Sequence, residues 1–251
     1  AMLFDVYGTL LISGSGNIGV SREQSAKADG LQDLLQRYNI ERTPDGLSAV
    51  LQGAIEQEHA EARRRGIDFP EVDIVRVWQT LLGIGDLRRL KSFILEYELM
   101  VNPVYPMPGL TTLLSTCQTR RMPMGIISNA QFYTPDLLQW FLRSSLVESG
   151  FDPRLTFLSY RFGYAKPSMV MFKLAADVLS GIGIPVNEAL YVGNDMLNDI
   201  RPASAVGFKT ALFAGDARSL RPRESDDRCR GVSPDLIVTD LRQVIAGTVN
   251  P

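Results

Sequence analysis

Five short apolar runs in the second half of the chain limit its fold more than any other feature. "MGIISN", "LTFLS", "ALYVGND", "KTALFAG" and "DLIVT" are apolar at nearly consecutive positions. That pattern belongs to strands buried on both faces, as in a parallel sheet covered by helices. Helical stretches separate most of the runs, which predicts βαβ crossovers and an open, Rossmann-like parallel sheet of the α/β class. A sixth run, "MLF" at residues 2–4, opens the chain, so the first strand is set far apart from the others.

Four segments of helical periodicity fill the gap. In "REQSAKADGLQDLLQRY" the apolar residues Ala26, Leu31, Leu34, Leu35 and Tyr38 share one helical face, and "LSAVLQGAIEQEHAEARRR", "DIVRVWQTLL" and "LRRLKSFILEYELM" repeat the theme. A Gly/Ser-rich link at 13–19, "SGSGNIG", leads into this block, and "VNPVYPMPG" at 101–109, with three prolines, leads out. The expected organisation is therefore an α/β core made of residues 1–14 and 104–251, with an all-α domain at 15–103 inserted after the first strand. The two links together make a hinge.

Composition rules out several function classes. The 251 residues are 45% hydrophobic and 22% charged, with a net charge of −2, which gives no general attraction to nucleic acid or to an anionic membrane. No apolar run reaches the roughly 18 residues needed to span a bilayer, and no cleavable signal is visible. Cys117 and Cys229 lie far apart and read as reduced thiols. The expectation is a cytoplasmic protein, monomer or homodimer.

Polar residues at strand ends locate the chemistry. In an open α/β sheet, ligands bind beyond the carboxyl ends of the strands. Asp5 ends the first run, Ser128-Asn129 ends "GIISN", Asn194-Asp195 ends "LYVGND", and Lys166 lies in the loop "FGYAKPS". Singly these are weak signals, since a strand-end Asp often caps a helix and Ser-Asn often makes a turn. In combination they bring an acid, a hydroxyl, a lysine and an acid pair to one edge.

That order resembles the haloacid dehalogenase superfamily, and the resemblance covers nearly the whole chain. Asp5-Val6-Tyr7-Gly8-Thr9 resembles its first motif, Ser128 its second, Lys166-Pro167 its third and "GNDMLND" at 193–199 its acidic fourth. The helical insert is similar to the family's helical cap, and "YPMPGLTTLLSTC" at 105–117 to the stretch that re-enters the core. The resemblance implies that Asp5 is a covalent nucleophile. It implies that Gly8 lets the backbone pass close to substrate, that Thr9 and Ser128 donate to a bound anion, and that Tyr7 and Asn129 line the substrate. Lys166 then supplies fixed positive charge. A Mg²⁺ ion would take Asp5, the backbone carbonyl of Tyr7, and Asn194 or Asp195, with Asp199 holding a coordinating water or Lys166 from behind.

Two departures pull in opposite directions. Most phosphatases of the superfamily carry an aspartate at the position of Tyr7, as general acid to the leaving alkoxide, and a phenol is a poor acid at neutral pH. The superfamily's 2-haloacid dehalogenases carry tyrosine there, because a halide leaves without a proton. Against them, Phe172 stands where those enzymes have a tyrosine six residues after the motif lysine, the fourth motif is acidic, and "SREQSAKADGLQDLLQRY" does not place their carboxylate-binding arginine, for which Arg22 has no supporting motif. The favoured reading is Mg²⁺-dependent hydrolysis of a small phosphorylated metabolite whose leaving group needs little protonation. A metal-independent 2-haloacid dehalogenase is the alternative, and a non-catalytic binding module of the same fold comes third.

Other features have ordinary readings. His59, the single histidine, sits among Glu56, Glu58 and Glu61 as a solvated helix residue, and "RRRGIDFPEVD" at 63–73 is a solvated joint between helices. Trp78 and Trp140 read as core, and "DARSLRPRESDDRCR" at 216–230 as a charged surface loop.

Overall fold

The structure, a computed structural model, describes residues 1–13 and 26–246, with the backbone alone at 26–29. Arg22 and most of the entry link, residues 14–19, lie outside the described residues. Eight strands are present among them: β1 (Met2–Phe4), β2 (Leu11–Ser13), β3 (Val104–Pro106), β4 (Met124–Ser128), β5 (Phe151–Leu158), β6 (Leu190–Gly193), β7 (Lys209–Phe213) and β8 (Leu236–Val238). The helices are α1 (Ala26–Arg37), α2 (Leu47–Arg64), α3 (Ile74–Leu82), α4 (Leu87–Val101), α5 (Leu110–Thr119), α6 (Thr134–Leu142), α7 (Ser159–Phe162), α8 (Val170–Gly181), α9 (Arg201–Val206) and α10 (Leu241–Ala246).

The chain divides into two compact units, Ala1–Ile12 with Tyr105–Pro251, and Ser13–Val104. The first is an α/β unit built on a six-stranded sheet in the order β5-β4-β1-β6-β7-β8, with every neighbouring pair parallel. After β1 the sheet grows outward through β4 and β5, then resumes on the other side of β1 with β6, β7 and β8. The reversal of strand order beside β1 is the switch point at which open α/β sheets leave a crevice. β1 is fully buried and aligns Phe4 with Ile126 on one side and Val192 on the other. One face of the sheet packs Leu3, Ile127, Phe157 and Tyr191 against Met171, Phe172 and Ala175 of α8. The central strands are therefore covered, as their unbroken apolar runs require.

The second unit is all-helical. Asp73 and Asp86 cap α3 and α4, accepting from the N–H of Val75 at 2.9 Å and from those of Arg88 and Arg89 at 3.0 and 3.1 Å. Its centre is aromatic: the Trp78 ring meets Phe93 edge-on at 5.2 Å and Tyr97 at 5.0 Å. Leu34, Leu35 and Leu90 are fully buried in the same unit.

Trp78 is core, as expected, but Trp140 is not: it is 69% exposed and stacks on Phe141 at 4.9 Å. The buried stripe of α6 is Thr134, Leu137 and Leu138, and position 140 lies off that stripe. Cys117 and Cys229 are buried free thiols. Among the described residues no helix is long and apolar enough to cross a membrane. Because Trp78 anchors the aromatic cluster, Trp78→Ala is expected to destabilise the helical unit by about 3–5 kcal/mol, read as a lowered midpoint in chemical denaturation followed by far-UV circular dichroism.

Candidate active site

Asp5 stands one residue beyond β1, and its N–H donates to the Val192 carbonyl at 2.9 Å, which ties the residue to β6. The chain then turns sharply: the Val6 carbonyl accepts from the N–H groups of Thr9, Leu10 and Leu11 at 3.2, 2.9 and 2.8 Å. Gly8 makes this turn possible. Its φ of +86° is costly for other residues, and a Cβ there would stand 2.6 Å from the Asn194 amide and 2.8 Å from Ser219 Cβ.

The Asp5 carboxylate is nearly buried and its two oxygens are unlike. Oδ1 accepts from Ser128 Oγ at 2.8 Å and from Lys166 Nζ at 2.7 Å. Oδ2 has no hydrogen-bond partner among the described residues. Ser128 ends β4 next door, so adjacent strands deliver the acid and its hydroxyl.

Lys166 Nζ lies between two carboxylates, 2.7 Å from Asp5 Oδ1 and 2.5 Å from Asp199 Oδ1, and it also donates to Tyr191 Oη at 3.1 Å. Its backbone is held by Asn129, whose Oδ1 accepts the Lys166 N–H at 2.7 Å and whose Nδ2 donates to the Lys166 carbonyl at 3.3 Å. Burial works against the ammonium charge, but Asp199 and then Asp5 outweigh it and raise the Lys166 pKa. Asp199 is pushed up to about 6, chiefly by burial, with Lys166 opposing the rise and Asp5 adding to it.

Asp199 is aimed by a wide turn, Met196–Ile200, in which the N–H groups of Asp199 and Ile200 both return to the Asp195 carbonyl. Its Oδ2 accepts the N–H groups of Asn194 and Asp195, both at 3.0 Å. A Cβ on Gly193 would stand 2.4 Å from the Asp199 carboxyl carbon, so glycine precedes Asn194 for want of space.

Asp5, Ser128, Lys166 and Asp199 thus form one contiguous cluster, and Asn129 supports it through the Lys166 backbone. Thr9 is fully buried and donates to Asn194 Oδ1 at 3.3 Å, so in this structure its hydroxyl serves Asn194. The Tyr7 hydroxyl is 2.8 Å from Thr134 Oγ1 at the start of α6. Asp195 shares no hydrogen bond or ion pair with Asp5. Its carboxylate caps the following turn through the N–H groups of Leu197 and Asn198 and is clasped by Arg223, with Nε at 3.1 Å from Oδ1 and Nη2 at 2.6 Å from Oδ2. Among the described residues, no group of three or more His, Cys, Asp or Glu side chains is placed to hold a metal ion.

Two site residues escaped the sequence reading. Tyr191 sits inside an apolar strand, yet its hydroxyl is 2.9 Å from both Asp199 Oδ1 and the Ile127 carbonyl. Phe172, the position where a tyrosine is missing, packs edge-on against the Tyr191 ring at 4.9 Å, so the hydroxyl at the lysine arrives from β6. The second is Ser219. Its carbonyl accepts from Asn194 Nδ2 at 2.6 Å, so part of the charged 216–230 loop docks on the site. Alternating charge conceals such docking.

Comparison with known proteins bears on the fold. The model of the HAD-hydrolase-like family matches residues 163–244. No curated protein matches the chain. Among solved structures, the 2-haloacid dehalogenase of Pseudomonas syringae pv. Tomato DC3000 is 17% identical with a TM-score of 0.59, over 98% of this chain and 96% of that one. A HAD phosphatase from Thermococcus onnurineus is 16% identical with a TM-score of 0.57, over 99% and 97%. A HAD-hydrolase of Bacillus subtilis, solved bound to magnesium, is 19% identical with a TM-score of 0.52, over 99% and 98%. At these identities the solved structures share a fold. The family model thus matches residues 163–244, and the whole chain shares the fold of these haloacid dehalogenase-like structures.

Proposed function

We propose that Asp5 Oδ2 attacks the electrophilic atom of a small anionic substrate, forming a covalent aspartyl intermediate that water then hydrolyses. The observation that carries this reading is the asymmetry of one carboxylate, with both donors on Oδ1 and none on Oδ2. The Oδ2 lone pair forms the new bond and the leaving group departs with its bonding pair. Ser128 and Lys166 hold the carboxylate in line meanwhile. Lys166, fixed by Asp199 and Tyr191, opposes the negative charge that develops at the reacting centre.

The preferred electrophile is phosphorus. One lysine faces two carboxylates here, so a phosphate approaching Asp5 needs further positive charge. The hard oxygen donors of Asp5, the Tyr7 carbonyl and Asn194 would hold one Mg²⁺, with water completing its shell. When bound, Mg²⁺ would offset repulsion between carboxylate and phosphate. Asn194 is favoured over Asp195 because Arg223 already occupies both oxygens of the latter. With Tyr7 tethered to Thr134, no carboxylic acid serves the leaving group, so acyl and aryl phosphates suit the site better than alkyl phosphates. The same tether, with Tyr191 at Lys166, favours the second reading, carbon–halogen cleavage in a 2-haloacid.

Three outcomes are expected. Asp5→Asn lowers kcat by about 10⁴-fold or more, measured against whichever substrate the wild type turns over. In a panel of acyl, aryl and alkyl phosphates and 2-chloropropionate, acyl and aryl phosphates are hydrolysed fastest and a chelator stops them. Chelator-insensitive release of chloride instead establishes the second reading, and a single turnover in ¹⁸O-water then labels Asp5. Finally, Tyr7→Asp raises turnover of alkyl phosphates relative to acyl phosphates by roughly tenfold or more, since it restores a carboxylic acid near the leaving group.

A further inference from the structure

Residues 214–223 form a strap built onto the end of β6. Asp216 folds the strap on itself, its carbonyl accepting the N–H groups of Ser219 and Leu220 at 3.1 and 2.9 Å and its Oδ2 accepting Ser219 Oγ at 2.7 Å. The strap then docks backbone to backbone: the Arg221 N–H donates to the Asn194 carbonyl at 2.9 Å, and the Met196 N–H to the Arg221 carbonyl at 3.0 Å. Arg223 completes the attachment through its two-pronged pair with Asp195. Ser219 is 1% exposed and stands directly over Gly8.

This docking leaves a chemical demand at position 194. The Ser219 carbonyl can only accept a hydrogen bond, so the side-chain atom 2.6 Å from it must carry hydrogen. The Thr9 hydroxyl, on the other side, donates to Oδ1. An amide satisfies both at once. A carboxylate would set two bare acceptors against each other in a site that is 8% exposed, and glutamine is a methylene too long for the space that Gly8 leaves.

We infer that Asn194 is a positioning residue dictated by the strap, and that the strap keeps the mouth of the site built around a neutral side chain where an aspartate would dislodge it. The strap's role stands on the hydrogen bonds alone. The consequence for cations rests on the Mg²⁺ reading above: Asn194→Asp does not strengthen the site although it adds a charged oxygen.

The test compares wild type, Asn194→Asp and Asn194→Ala by thermal melting, by trypsin cleavage after Arg218 and Arg223, and by Mn²⁺ binding followed by electron paramagnetic resonance. Asn194→Asp is expected to lower Tm by about 5 °C and to be cut in the strap at least about tenfold faster than wild type. Asn194→Ala removes the donor without adding charge, and its losses are expected to be smaller. Mn²⁺ affinity is expected not to rise in Asn194→Asp. The inference is overturned if Asn194→Asp melts with wild type, keeps the strap protected and binds Mn²⁺ about tenfold or more tightly, or if Asn194→Ala is the more damaged of the two. Wild type that fails to bind Mn²⁺ overturns the cation reading alone, since melting and proteolysis still judge the strap.

Discussion

The site depends on a single buried ammonium group. Lys166 Nζ lies within 2.7 Å of one carboxylate and 2.5 Å of another, and all three side chains are almost without solvent. Taking a charge out of water is tolerable only with charged partners and further hydrogen bonds. This cluster supplies both: Asp199 spreads its charge over Tyr191 and two backbone N–H groups, and Asp5 over Ser128. Removing any one ion leaves its partner uncompensated, at a cost of about 3–5 kcal/mol for a buried pair. The cluster also fixes the geometry of the sheet ends, because β1, β4 and β6 each deliver a residue to it.

Stability and chemistry pull on that cluster in different directions. A nucleophile completely paired with its surroundings would be inert. In the proposed reaction Asp5 avoids this, with both donors on Oδ1 and Oδ2 without a partner among the described residues. The arrangement is possible because Ser128 and Lys166 approach from the β4 side, and Gly8 allows the chain to fold back past the acid on the other. Asn129 contributes indirectly, by pinning the backbone from which the lysine extends. The turn at 196–200 has the same character. It bends Asp199 back beneath its own strand end, and Gly193 is needed because no Cβ fits there.

Much of this was legible in the sequence. The unbroken apolar runs mark a doubly covered parallel sheet, and the four periodic segments at 22–38, 47–65, 73–82 and 87–100 correspond to α1–α4 wherever residues are described. That Asp5 and Ser128 would meet at one edge was legible because polar residues at strand ends are conspicuous against apolar neighbours, whereas Lys166 and Asp199 entered through the resemblance of their motifs. The illegible parts have physical causes too. Tyr191 is hidden because an aromatic in a buried strand reads as packing, and only the tertiary structure shows where its hydroxyl ends. The pairing of Asp195 with Arg223, 28 residues on, was also out of sight, since an acid beside the site reads as a ligand and not as half of an ion pair. Trp140 misled by its size, as large aromatics are usually interior but a helix has only one buried stripe. The strap was concealed by its own arginines, which form ion pairs while the intervening Ser219 is buried.

The residues around the first turn share a logic that bears on the leaving group. Tyr7, Thr9, Asn194 and Ser219 all stand around the first turn, and each has its polar atom engaged by another protein group. The hydroxyl of Tyr7 is shared with Thr134, so it cannot swing to follow a departing oxygen without breaking a bond of 2.8 Å. A phenol is already a weak acid at neutral pH, and the bond to Thr134 holds this one in place. The mouth is therefore arranged to hold charge in place more than to transfer protons. Under the reaction proposed above, a site of that kind would favour substrates whose bond breaks readily once the nucleophile is in line, whether the atom under attack is phosphorus or carbon.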